Sequence, residues 1–227
     1  MQHEATRKTY RQISICQAGD RRICFPCGVR RPGRIVSGGS AGNEQLTAAV
    51  ATVLLVLLAV EGATLLRIDG LMTVHAFVGM LLIPPVALKL ASTGWRMLRY
   101  YLHGEEYVRR GPPHVALRVL VAPAIVASTA VLFATGVVLL VRDQTSGLVV
   151  GLHKASFLVW FGATSVHVLA HGLRLPRLLR LRLPGVALRL GLVGATLGAG
   201  AALAVATLPS VDRLQDSLST HVGLDAR

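Results

Sequence analysis

The sequence predicts an all-α integral membrane protein: a four-helix core plus a fifth transmembrane helix. Three observations predict it. Apolar residues make up 52% of the 227-residue chain and charged residues only 15%, with a mean hydropathy of +0.56. A soluble domain carries about 25% charged residues and fewer unbroken apolar runs. Five stretches, at 46–66, 71–90, 115–141, 148–171 and 186–208, approach or exceed the ~18 apolar residues that mark a spanning helix. Finally, the basic residues sit in alternate connections between these stretches.

The elements follow in order. Residues 1–44 form a basic arm rich in Arg, Gly and Pro, and such composition predicts disorder. It holds all three cysteines, Cys16, Cys24 and Cys27. Cys24 and Cys27 make a CxxC with only His3 and Cys16 as nearby partners, and reduced cytoplasmic thiols are the expectation. Residues 45–208 form the five-helix domain. The connections rich in Arg and Lys are the arm, RMLRYYLHGEEYVRRG and RLPRLLRLRLPG; RIDG and RDQTSG have almost no net charge. The positive-inside pattern then puts the N-terminus in the cytoplasm, makes the chain multi-pass in the cell (inner) membrane, and leaves residues 209–227 as an external tail. Contact with anionic lipid accounts for the net charge of +13. Nucleic-acid binding is not expected, because no aromatic platform or base-reading motif accompanies the charge.

Ionisable side chains are rare inside a span and usually face the bundle interior. His75 lies a few residues below the outer start of the second helix, and His153 a similar distance below the outer start of the fourth. Both helices descend, so the two histidines are level. Glu61, in LLAVEGATLL of the first helix, reaches a comparable depth from the other direction. Imidazole is a common axial ligand of haem iron, and two histidines on facing helices are the simplest protein frame for a b-type haem.

The fourth helix carries a seam of His153, Phe157, Trp160, Thr164, His167 and His171 in steps of four and three. His153 and His167 are 14 residues apart, about 21 Å along a helix. That spacing suits ligands near opposite faces of a membrane. On the second helix the residue 14 beyond His75 is Lys89, so a four-histidine, two-haem frame is incomplete, and Lys89 is expected to reach the inner headgroups. His167 and His171 form HVLAH without the Glu of HExxH, so a metallopeptidase is unsupported. They remain open as an inner haem ligand, a propionate partner or a structural contact, with His114 as a second inner candidate. His103 and His221 fall in loop and tail.

Gly79 is one turn from His75, Gly151 precedes His153 and Gly136 interrupts the third helix; missing side chains would let a flat macrocycle approach the backbone, and close helix packing is the alternative. Pro84 and Pro85 in the second helix and Pro123 in the third are expected to bend them. Gly194 and Gly198 offer a packing face on the fifth helix, toward the bundle or a partner subunit.

A histidine in helix two, a basic loop, and a helix-four histidine followed by another 14 residues later resemble the small bacterial membrane cytochromes b. That superfamily includes the cytochrome b subunits of nickel-iron hydrogenases and formate dehydrogenases. HAFVGMLLIPPVALKLASTGWRMLRYY, GPPHVALRVLVAP and LHKASFLVWFGATSVHVLAH are also similar to actinobacterial membrane proteins. The resemblance covers roughly residues 45–172. It implies that His75 and His153 are axial ligands and that His167 could serve a second haem. Lys89, the additional fifth helix and the lack of an attached soluble domain depart from the family pattern.

The functional expectation is electron transfer through a membrane by one haem b, with a second left open. Arg142 and Arg67 at the outer rim could pair with propionates, and Glu61 could tune the haem or take up a proton. A quinol or a redox protein is the expected partner, and no dinucleotide motif is present. The chain thus reads as an electron-transfer subunit of an oxidoreductase complex rather than an enzyme alone. The alternative is a haem-free membrane scaffold or small transporter-like subunit with polar histidines in its bundle.

Overall fold

The computed structural model describes residues 39–103, 117–172, 184–225 and the single position 176. These residues contain five helices long and apolar enough to cross a membrane, and no strand. They are α1 (Gly39–Leu65), α2 (Ile68–Tyr101), α3 (Ala122–Val141), α4 (Leu148–His171) and α5 (Val186–Asp225). A π-helical turn, Leu117–Val121, leads into α3. The protein is a multi-pass helical membrane bundle. Its outer surface is what lipid requires: large apolar side chains such as Leu148 (79% exposed) and Leu169 (82%) point outward.

The helices form two assemblies. In the first, α2 packs between α1 and α5. Its core is Val50 and Leu54 of α1, Val78 and Leu82 of α2, and Val193 of α5. In the second, α3 and α4 pack on each other. A smaller cluster, Met80, Leu140, Ala204, Val211 and Leu214, ties α3 to α2 and α5. The main contact of α4 is with α3, and Ser156 is its one buried residue. Direct packing of α2 against α4 is slight.

The prolines are accommodated within continuous helices. Pro84 and Pro85 lie inside α2 with helical dihedrals, and the break in α2 is at Leu71 (φ −122, ψ 18). A proline at 85 cannot donate to the carbonyl four residues back, which frees Leu81 C=O. That carbonyl lies against Gly200 of α5, where any Cβ would collide with it. The close crossing of α2 and α5 therefore uses Gly200. Gly194 and Gly198 have open space where a side chain would be. Pro123 is the second residue of α3 and follows directly on the π-helical turn Leu117–Val121.

Three boundaries also shift. Helix α1 starts at Gly39, inside the stretch read as an arm, and α2 runs on to Tyr101, through much of the second basic connection. Helix α5 continues through Pro209 to Asp225, so residues 209–225 are helix rather than tail. The extension is held by packing: Val211 and Leu214 are buried, Gln215 Nε2 donates to Thr73 Oγ1 (2.9 Å), and Arg213 lies 3.6 Å from Asp143.

Candidate functional site

The loose seam between the two assemblies contains the two histidines. His75 lies seven residues into α2 and His153 five residues into α4, about 10 and 8 Å from the helix starts at 1.5 Å per residue. Their ring centroids are 6.5 Å apart and the ring planes are perpendicular, at 89°. Both residues are partly buried.

Each ring is held by the neighbouring helix of its own assembly. His75 Nδ1 is 2.9 Å from Glu61 Oε1 and 3.1 Å from Thr64 Oγ1, both on α1. Thr64 Oγ1 donates its proton to Glu61 O (2.6 Å), so toward His75 it can only accept. His153 Nδ1 is 3.1 Å from Leu132 O and 3.0 Å from Thr135 Oγ1, both on α3. Thr135 Oγ1 donates to Val131 O (2.7 Å). A carbonyl oxygen cannot donate, so His153 Nδ1 carries the proton. The carboxylate and the hydroxyl oxygen fix His75 the same way. A neutral imidazole protonated at Nδ1 keeps its lone pair on Nε2, the nitrogen then free to bind a metal. Both rings are therefore protonated at Nδ1.

The other expected residues divide. Glu61 belongs to the site, and its Oε2 is buried without a hydrogen-bond partner. Gly79 faces that carboxylate: a Cβ there would lie 3.6 Å from Glu61 Oε1, an ordinary contact. Gly136 faces the other ring, and its Cβ would lie 3.2 Å from His153 Cε1, which is crowded. Gly151 meets nothing within 4 Å. Arg142 and Arg67 are exposed at helix ends and take no part in the hydrogen bonding of the histidines.

At the other end of α4, His167 and His171 stack on each other, with centroids 4.7 Å apart and planes 16° from parallel. The seam between is aromatic, with Phe157 and Trp160 stacked at 6.3 Å. Lys89 does not reach out to headgroups: its Nζ donates to Thr47 O of α1 at 2.9 Å. His114 and the cysteines Cys16, Cys24 and Cys27 lie outside the described residues.

Thr64 and Thr135 are the residues at the histidine pair that sequence reading missed. Each stands on the helix next to its histidine's helix, with its hydroxyl bonded back to its own helix. The one available signal was position: Thr64 is one turn beyond Glu61, and Thr135 directly precedes Gly136.

No group of three or more His, Cys, Asp or Glu side chains gathers as a metal site among the described residues. Two imidazoles are too few for a bare ion, but they suffice for an iron whose other ligands come from a macrocycle. Comparison of the chain with protein-family models, curated proteins and solved structures finds no match.

Proposed function

We propose that this protein is a b-type cytochrome of the small bacterial kind, holding one haem between His75 and His153 and carrying electrons across part of the membrane. The observation that carries the reading is the pair of rings 6.5 Å apart, both with Nδ1 engaged. With metal–nitrogen bonds of about 2.0–2.1 Å and about 1.1 Å from nitrogen to ring centre, one metal between two imidazoles sets the centres about 6.3 Å apart. The slight packing between α2 and α4 favours the reading too, since a macrocycle must lie between them.

Bound haem supplies one-electron chemistry at its iron. The residues of this chain set its conditions. His75 and His153 would hold the iron, Thr64 and Thr135 fix the rings, and Glu61 would place a negative charge behind His75. Gly136 leaves room for the His153 ring. Arg142 and Arg67 lie at the same rim and are the candidates for propionate contacts, and Gly79 keeps the Glu61 side open. His167 and His171 are the candidates for an inner haem or its propionates. The basic connections put the N-terminus in the cytoplasm of a cell whose inner membrane holds the chain. A quinol or a redox protein is the partner, and the chain serves as an electron-transfer subunit of an oxidoreductase complex.

The test is an optical spectrum of the purified chain, oxidised and dithionite-reduced. A reduced b-type band is expected, absent in His75→Ala and in His153→Ala and retained in His171→Ala. A band that survives both of the first two substitutions would overturn the reading and favour a haem-free scaffold.

A further inference from the structure

The start of α5 is built as an anion site, far from the histidine pair along the fold and independent of the haem reading. Any α-helix begins with N–H groups that have no acceptor within the helix, and their aligned dipoles give that end a partial positive charge. Helix α5 has 40 residues and no acidic residue in its first turn. Gly185 precedes it with φ +81 and has no side chain to cap it. The chain turns there, and Arg189 N donates to Gly185 O at 3.2 Å.

The second observation is the Arg189 side chain. It folds back over this helix end, with Nη2 donating to Pro184 O. It is only 6% exposed. Its Nε and Nη1 are buried and have no hydrogen-bond partner. A guanidinium covered in this way is costly unless an acceptor satisfies it. The unsatisfied groups at the site, Nε and Nη1 of Arg189 and the free N–H groups of the first turn, are donors, and an oxyanion complements them at once.

The position says which oxyanion. Val186 begins an apolar span running to Ser217, so the site lies at the boundary between hydrocarbon and headgroups. Residues 172–185 contain four arginines and no acidic residue. At that level the abundant oxyanion is phospholipid phosphate. One helical turn beyond Arg189, Val193 is buried against Val50 and Leu54 of α1, so a ligand on Arg189 would be anchored to the core of the first assembly.

We propose that the first turn of α5 and Arg189 together bind the phosphate of one anionic phospholipid. The lipid ties the start of the last helix to the membrane surface.

The experiment uses the full chain purified in detergent. Thermal unfolding and native mass spectrometry are followed with phosphatidylglycerol, phosphatidylcholine or inorganic phosphate added. Phosphatidylglycerol should raise the unfolding midpoint and remain bound at one lipid per chain. Phosphatidylcholine and inorganic phosphate should do neither. Arg189→Gln should weaken phosphatidylglycerol binding by about tenfold, the equivalent of one good charged contact. Arg99→Gln removes an exposed cation at the end of α2 and should leave binding unchanged. Arg189→Lys keeps the charge without the planar fork, and guards against a glutamine variant that fails to fold; it should bind several-fold more weakly than the native chain. Equal effects of the two lipids, full reproduction by inorganic phosphate, or native binding in Arg189→Lys would each overturn the proposal.

Discussion

The two histidines are mounted alike, and they differ in one charge. On the α1–α2 side, Nδ1 of His75 meets a threonine hydroxyl and the Glu61 carboxylate. On the α3–α4 side, Nδ1 of His153 meets a threonine hydroxyl and a backbone carbonyl. The shared hydroxyl fixes tautomer and ring orientation. The differing acceptor sets ligand strength, since an imidazole donating to a carboxylate becomes a more basic ligand than one donating to a carbonyl. The pair therefore divides two tasks that one symmetrical mount could not separate. In the proposed haem site His153 would be the neutral, rigid ligand and His75 would carry the electrostatic control.

The glycines give the largest expected break in this comparison. Gly136→Ala pushes a methyl to 3.2 Å from the His153 ring, whereas Gly79→Ala places one at 3.6 Å from Glu61. Overpacking costs about 1–3 kcal/mol, so Gly136→Ala should lower haem per protein roughly tenfold at limiting haem. Gly79→Ala should leave it near native. Equal losses in both would show that crowding is not specific to the His153 side.

Charge comes next. Glu61→Gln keeps an oxygen acceptor for His75 and removes the negative charge behind it. Haem content should persist, and the midpoint potential should rise by about 60 mV, equivalent to ~1.4 kcal/mol for one electron. Redox titration reads this directly. An unchanged potential would mean that the two mounts are electrostatically equivalent.

The hydroxyls give the smallest effect. Thr64→Val and Thr135→Val each remove one neutral hydrogen bond, worth about 1 kcal/mol. Haem titration of each variant should show a few-fold weaker binding, similar on both sides. A much larger loss for Thr135→Val would show that Leu132 O alone cannot hold His153, while Glu61 alone can hold His75.

Much of this was legible in the sequence. Helix lengths alone made His75 and His153 level, because each follows a short neutral connection by a few residues. Helix α4 has the bounds its apolar run predicts. Glu61 stood out because a carboxylate inside a span needs a partner. The threonines did not stand out, since a hydroxyl that bonds back to its own helix is ordinary in a membrane. Helix α5 was cut short at Pro209 because proline and the charges of SVDRLQD read as an end. Packing of Val211 and Leu214 against Met80 and Leu140 overrides that local signal. The break at Leu71, the freed Leu81 carbonyl and the choice of Gly200 over Gly194 and Gly198 depend on which faces of α2 and α5 meet. No single helix encodes that.

The contact between Leu81 and Gly200 also bears on biosynthesis. Gly200 follows Leu81 by 119 positions. At translation rates of about 5–20 residues per second, the ribosome reaches it roughly 6–24 s later. Through that interval the Leu81 carbonyl freed by Pro85 faces lipid or a translocation partner instead of α5. The α3–α4 hairpin is complete before α5 emerges, so the α2–α5 crossing is the last of these helix contacts to form.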